Sequence, residues 1–415
     1  MDAFALIHPV PATWLRDSAL ASFVPSYLRS LVEQHYSAGT TRQYLCGVAH
    51  FARWMRQRRL AACDLEGDVV RRFLDEHLPH CTCPSPVQRC RHQVRAALRH
   101  MLALIEKTGA LAKSHTPNAV EDELHRFDEY MVHARGLAEN TRVQRLHILR
   151  PFLQQNCGSN PHELTFPTSD DLRRFIASQL QRWSPASANV LASALRSYVR
   201  FRAVCGDQVG HLLPVITSSA NWRLAPLPQT LSRIQVTKLL DSFSPDLPSA
   251  LRAYAMVRCV VDLGLRASEV VSLGLDDIDW LAGTLRIVKN KSRRVDVLPL
   301  PQATGKAIAK YLRSERPQSA NRRVFVRHVA PVDEPIGPGV VRRAVREAYL
   351  RCGLPHTRVH ILRHTLASRL LDTGGTLKEV ADVLRHRELD TSLIYAKVDT
   401  ARLSAVALPW PGSTV

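Results

Sequence analysis

The stretch from His360 to Tyr395 constrains this chain more than any other. It reads His360-Ile361-Leu362-Arg363-His364-Thr365, then Leu384-Arg385-His386, then Leu393-Ile394-Tyr395. His360 and Arg363 are three apart, so on a helix they project from one face. Leu362, Leu366 and Leu370 give the other side a spacing suited to burial. Gly374-Gly375 stops that helix, and Thr376 with Glu379 makes a capping box that opens the next. His386 then falls just past the second helix, and Asp390 or Thr391 caps a short third one that carries Tyr395. Consecutive short elements thus deliver two histidines, an arginine and a tyrosine. That set suits phosphoryl transfer: cations hold a phosphate, histidines move protons or donate hydrogen bonds, and a hydroxyl attacks.

Two earlier segments extend the pattern. Gly264-Leu265-Arg266-Ala267-Ser268-Glu269-Val270 supplies a further arginine, and Lys289-Asn290-Lys291-Ser292-Arg293-Arg294 a lysine in a β-turn. Taken in order and at these spacings, the motifs resemble the phage-integrase (tyrosine recombinase) family over residues 232–398. The resemblance implies that Tyr395 attacks the scissile phosphate, leaving a 3′-phosphotyrosyl link and a free 5′-hydroxyl. Arg266 and Arg363 would grip the non-bridging oxygens, His360 would assist proton removal from Tyr395, and His386 would donate a hydrogen bond to the phosphate. Lys291 would protonate the departing 5′-oxygen. Lys289 points to the same face by strand alternation, but Lys291 stands at the family's usual distance before Pro299. Glu269 would orient the Arg266 segment, and His364 reads as structural. The bond energy is kept in the covalent link, so the resemblance calls for no cofactor.

Composition agrees with a polyanionic partner. The formal net charge is +19 and the pI about 10.0, which points to nucleic acid. Most of the 56 basic residues are arginine, whose planar fork suits bidentate phosphate contacts. The absence of a paired-carboxylate site or a phosphate-cradling glycine loop argues against metal-dependent nucleases and NTPases. No apolar run is long enough for a membrane span, and no signal peptide is expected. Nine cysteines, an odd number, do not read as a disulfide framework, so a reducing cytoplasm is the expected compartment, with the protein on the nucleoid when bound to DNA.

Along the chain, helices are expected at 26–35, 41–58, 68–77 and 94–108, and this plan recurs after residue 120. Thr41-Arg42 aligns with Thr141-Arg142, Asp68–Phe73 with Asp170–Phe175, and Ala97-Leu98-Arg99 with Ala194-Leu195-Arg196. Residues 1–112 therefore read as an extra helical module, a repeat of a core-binding, SAM-like domain at 113–210. Its arginines, among them Arg53, Arg56 and Arg58, suggest a second phosphate-tracking surface. Pro214, Pro226 and Pro228 mark a linker at 211–231. The catalytic domain follows at 232–415, with helices at 232–242, 249–262, 267–273, 304–314, 339–352 and 360–373, and strands at 284–288 and 294–298. The expected fold class is mainly α: helical DNA-binding modules, then a mostly helical catalytic domain with a small antiparallel β-sheet. The catalytic site is expected to use no metal. One separate set, Cys81, Cys83 and Cys90 with His92 or His80, has the donors for a tetrahedral zinc ion, although Cys-x-Cys is tighter than the usual gap.

The expected function is a DNA strand-transferring recombinase of a mobile element, acting on double-stranded DNA as a homo-oligomer, a tetramer on two sites. The rival readings are DNA relaxation in the manner of a type IB topoisomerase, and a DNA-binding protein with an idle catalytic fold. The intact set Arg266, Lys291, His360, Arg363, His386 and Tyr395 speaks against idleness.

Overall fold

The computed structural model describes residues 3–65, 67–109, 119–156, 168–218, 227–288, 295–386 and 392–396. The chain divides into two compact units: Lys113–Arg223, and a discontinuous one made of Met1–Ala112 with Leu224–Val415. It is mainly helical with one small antiparallel sheet, the expected fold class. No described helix is long and apolar enough to cross a membrane.

The N-terminal bundle comprises α1 (Pro9–Arg16), α2 (Val24–Glu33), α3 (Ala38–Gln57), α4 (Gly67–Arg72) and α5 (Arg91–Lys107) around its own apolar core. Ser37 caps α3: its side chain accepts from the Thr40 amide at 3.2 Å, a donor the helix itself cannot satisfy. Leu45, Val48, Ala52 and Met55 then recur at helical spacing and are all buried. α4 runs on into a π-turn, Phe73–His77, which buries Phe73. Several arginines expected to track phosphate are engaged within the bundle. Arg53 lies over the Trp14 ring at 4.8 Å, Arg58 over Trp54 at 5.7 Å, and Arg56 pairs with Asp17 at 3.5 Å.

The second unit arranges α6 (Ala119–His133), α7 (Glu139–Gln155), α8 (Ser169–Leu180) and α9 (Pro185–Val204) around a separate core. Its helix order matches α2 to α5, and aligned positions behave alike: Phe73 and Phe175, Ala97 and Ala194, Leu98 and Leu195 are all buried. The expected linker starts too early at residue 211. The turn Gly210–Leu212 packs on α8 and α9, and Leu212 and Ile216 belong to this core. Burying both apolar side chains keeps the segment with the bundle.

The C-terminal segment contains α10 (Arg233–Asp241), α11 (Ala250–Leu263) and α12 (Ala267–Ser272). The sheet follows as β1 (Ile278–Asp279), β2 (Thr284–Ile287) and β3 (Asp296–Pro299). Then come α13 (Gln302–Ser314), α14 (Pro338–Arg351), α15 (His360–Asp372), α16 (Leu377–Val383) and α17 (Leu393–Ala396). β2 lies between β1 and β3, with Thr284 opposite Pro299 and Ile287 opposite Asp296. Leu285 and Ile287 face the core while Arg286 faces out, the alternation a one-sided sheet requires. α11 is the central helix: Met256, Val257 and Val260 are buried where it meets α13, α14 and α15.

Candidate active site

Three junctions converge at the end of α11. The helix stops at Gly264, whose φ of +58° places it in the left-handed region that favours glycine. A Cβ there would also lie 2.7 Å from the Leu384 side chain. The tight stop aims the Gly264 carbonyl at two arginines, Arg363 from α15 and Arg385 from the end of α16. Arg363 also donates to the Leu384 carbonyl, so its guanidinium is fastened to backbone on both sides.

Arg266 is the N-cap of α12 and carries the next guanidinium. Glu269 accepts from the Arg266 amide at 2.9 Å and from its side chain at 2.6 Å, which both caps the helix and aims the arginine. The same carboxylate accepts from Arg385 at 2.8 Å, with both side chains 1 % exposed. Burial alone would raise the Glu269 carboxyl, but Arg385 and the bonds from Arg266 outweigh it and hold it below the usual carboxylate range. One bonded carboxylate against three guanidiniums leaves positive charge in excess. Burial, then Arg266 and Arg385, push Arg363 down to about 9, which leaves it charged at neutral pH. Such a pocket suits a phosphate.

Tyr395 sits on α17, 2 % exposed, against Ala367, Leu371, Val380 and Leu384. Burial raises its hydroxyl above the ordinary value, while Arg363 and Arg266 pull it back. Its oxygen lies 2.9 Å from His364 Nδ1. The His386 ring is stacked on the Tyr395 ring, 6.4 Å between centroids and 6° between planes, and its Nδ1 is 2.6 Å from Ser392 Oγ. Burial and the surrounding cations push His364 and His386 each down to about 4, so both are neutral near pH 7. His360 is exposed at the start of α15, lowered by partial burial and then by Arg363 and Arg266.

The structure thus brings together Arg266, His360, Arg363, His386 and Tyr395. Lys291, its neighbour Lys289 and the expected caps Asp390 and Thr391 lie outside the described residues. Sequence reasoning missed two contacts. His364, read there as structural, touches the Tyr395 hydroxyl, and Arg385 is the buried partner of Glu269. Arg385 stands at a φ of +55°, unusual for a side-chain-bearing residue, but nothing in a single sequence marks it. The expected zinc set is corrected. Cys81 and Cys83 lie together, whereas Cys90 and His92 are exposed and paired with each other at 3.0 Å, and His80 is also exposed.

Comparison with known proteins agrees with this geometry. The sequence model described as "Phage integrase family" matches residues 229–402, and "Phage integrase, N-terminal SAM-like domain" matches 124–204. The chain is 36 % identical to "Putative integrase/recombinase y4rA" of Sinorhizobium fredii, covering 99 % of this chain and 97 % of that protein. Tyrosine recombinase XerA of Pyrococcus furiosus is 27 % identical, over 68 % of this chain and 91 % of that protein. Among solved structures, XerH recombinase bound to its palindromic difH substrate superposes with a TM-score of 0.53 at 18 % identity, covering 74 % of this chain and 93 % of that one. A lambda integrase dimer bound to a core site gives 0.51 at 17 % identity, covering 71 % and 99 %.

Proposed function

The chain belongs to the phage integrase family of DNA strand-transferring enzymes, and on that premise we propose that Tyr395 is its nucleophile. The observation that supports this is the hydroxyl's position: bonded to His364, with the charges of Arg266 and Arg363 acting on it. The Tyr395 oxygen attacks phosphorus, and the 5′-oxygen leaves with a proton from Lys291. A 3′-phosphotyrosyl bond replaces the phosphodiester, and a 5′-hydroxyl of a partner strand later reverses the step. Arg266 and Arg363 hold the non-bridging oxygens as negative charge develops. His386, with Nδ1 on Ser392, presents its other nitrogen as a donor to the phosphate.

Proton removal falls to His364. A neutral imidazole with its proton on Nε2 accepts the phenol hydrogen at Nδ1, and at neutral pH His364 is neutral. His360, assigned that task by resemblance, instead stands exposed beside the guanidiniums, where it meets the phosphate.

The substrate is double-stranded DNA, which the net charge of +19 favours. Two duplexes present four strands and each exchange consumes one tyrosine, so the working assembly is a homo-tetramer on two sites. The enzyme serves a mobile element in the cytoplasm. The test uses nicked DNA from the ends of the region that carries the gene, which traps the covalent intermediate. Wild-type protein forms an adduct that survives denaturing electrophoresis, and Tyr395→Phe forms none while still binding DNA. An adduct in the Phe variant would remove Tyr395 from the mechanism.

A further inference from the structure

The N-terminal bundle holds a second cluster of reactive side chains, remote in sequence from the residues that act on phosphate. His50 lies in the middle of α3 and is fully buried. His77 closes the π-turn after α4, and Cys81 and buried Cys83 follow in the connection to α5. One donor atom from each of the four falls within 4.8 Å of the others. His50 Nε2 is 3.2 Å from His77 Nε2 and 3.2 Å from Cys81 Sγ, while Cys83 Sγ is 3.7 Å from His77 Nε2.

Those spacings have a simple meaning. A zinc ion with nitrogen at about 2.0 Å and sulfur at about 2.3 Å, bound tetrahedrally, sets its ligands roughly 3.3 Å (N to N) and roughly 3.5 Å (N to S) apart. The separations of His50 from His77, His50 from Cys81 and His77 from Cys83 lie within a few tenths of these values. We propose that His50, His77, Cys81 and Cys83 form a structural zinc site.

The surroundings agree with a metal rather than with a packed set of polar side chains. His50 Nδ1 is 2.9 Å from the Gln88 carbonyl, which can only accept, so Nδ1 carries the proton and Nε2 turns a lone pair into the cluster. Fixing the second nitrogen on a carbonyl is how metal-bound imidazoles are held. The Cys83 amide donates to Cys81 Sγ at 3.4 Å, a bond that favours a thiolate. Two thiolates and two neutral imidazoles around a divalent ion give a neutral centre, which tolerates burial. The mixed soft sulfur and imidazole set suits zinc.

The ion would fasten residues 78–90 to α3. That connection has no counterpart at residues 181–184 of the second bundle, and regular backbone pairing beyond the turn Leu78–His80 does not hold it. The sequence showed the two cysteines but not their partners. His50 is separated from them by α4, and His92, the nearer candidate by spacing, is exposed and paired with Cys90.

The test uses the full-length protein, purified without a metal-binding tag. Metal analysis should find about one zinc per chain, and X-ray absorption should find two sulfurs at about 2.3 Å and two nitrogens at about 2.0 Å. Cobalt exchange should give the visible absorption of a tetrahedral sulfur-ligated ion. The Cys81→Ser, Cys83→Ser protein should lose the metal, and the Cys90→Ser, His92→Ala protein should keep it. If the first variant fails to fold, the wild-type cobalt spectrum and the second variant still decide. Folded wild-type protein that takes up neither zinc nor cobalt, a disulfide between Cys81 and Cys83, or metal lost with Cys90 and His92 would each overturn the assignment.

Discussion

Glu269→Gln is the perturbation that most directly probes how the guanidiniums are held. The glutamine keeps the size of the side chain and an acceptor for the Arg266 amide, but removes the charge that faces Arg266 and Arg385. The Glu269–Arg385 pair is 1 % exposed on both sides, so the loss leaves Arg385 as a buried cation without its counter-ion. Breaking such a pair from one side costs about 3–5 kcal/mol. At about 2–4 °C per kcal/mol, the calorimetric transition of the unit that carries the site should fall by roughly 6–20 °C. Acid supplies a second readout. The carboxyl titrates below its ordinary 4.5 in the folded chain, so its contribution is fully present above about 4.5 and is lost as pH falls through the folded value. The gap between wild type and variant should therefore close in acid. Arg385→Gly removes the other partner and relieves a left-handed φ, so the double variant should cost less than the two single changes added. A variant within about 1 kcal/mol of wild type at pH 7 would refute the reasoning, as would simple additivity in the double variant.

Other consequences follow from the same geometry. His364→Gln should slow adduct formation by about 10²- to 10⁴-fold at pH 7, the range of general-base catalysis, and raising the pH should recover part of the rate; no change would return proton removal to His360. Lys291→Ala should slow cleavage of ordinary DNA but recover on DNA with sulfur in the 5′ bridging position, because a thiolate leaves without a proton; rescue of Lys289→Ala instead would move the general acid. His364 and His386 titrate near 4 when folded against an ordinary 6.5, so the stability gained by keeping them neutral is present above about 6.5 and is lost as pH falls towards 4, a decline readable in urea midpoints. Gly264→Ala should destabilise the domain, since the new methyl meets Leu384 at a φ that disfavours side chains.

Much of the architecture was legible because its signals are local. The Thr376–Glu379 capping box forms as read, with the Glu379 amide donating to Thr376 at 3.1 Å, and the strand expected at 284–288 forms as β2. Features that escaped are those with no period to detect. β1 is two residues long, and the π-turn inserts a residue into an otherwise regular helix. Leu212 and Ile216 look like linker residues until the core that covers them is present.

The candidate site divides along the same line, and the division has a physical origin. Groups that meet a phosphate are constrained by the ligand, so their spacing along the chain takes a form that resemblance can find. Groups that hold them are constrained only by the fold. Arg385 is selected by the pocket between Glu269, the Gly264 carbonyl and the Val383 carbonyl, and its job is to place a carboxylate that in turn places Arg266. His364 follows Arg363 in sequence, yet its contact with Tyr395 depends on α16 returning α17 to α15. Tyr395 is nearly inaccessible, packed in a small cluster apart from the main core. α17 is four residues long, and among the described residues it is held by the small cluster around Tyr395, the His364 bond to its hydroxyl and the stacked His386 ring. The position of the Tyr395 hydroxyl is therefore set by packing around α17, which no spacing along the chain records.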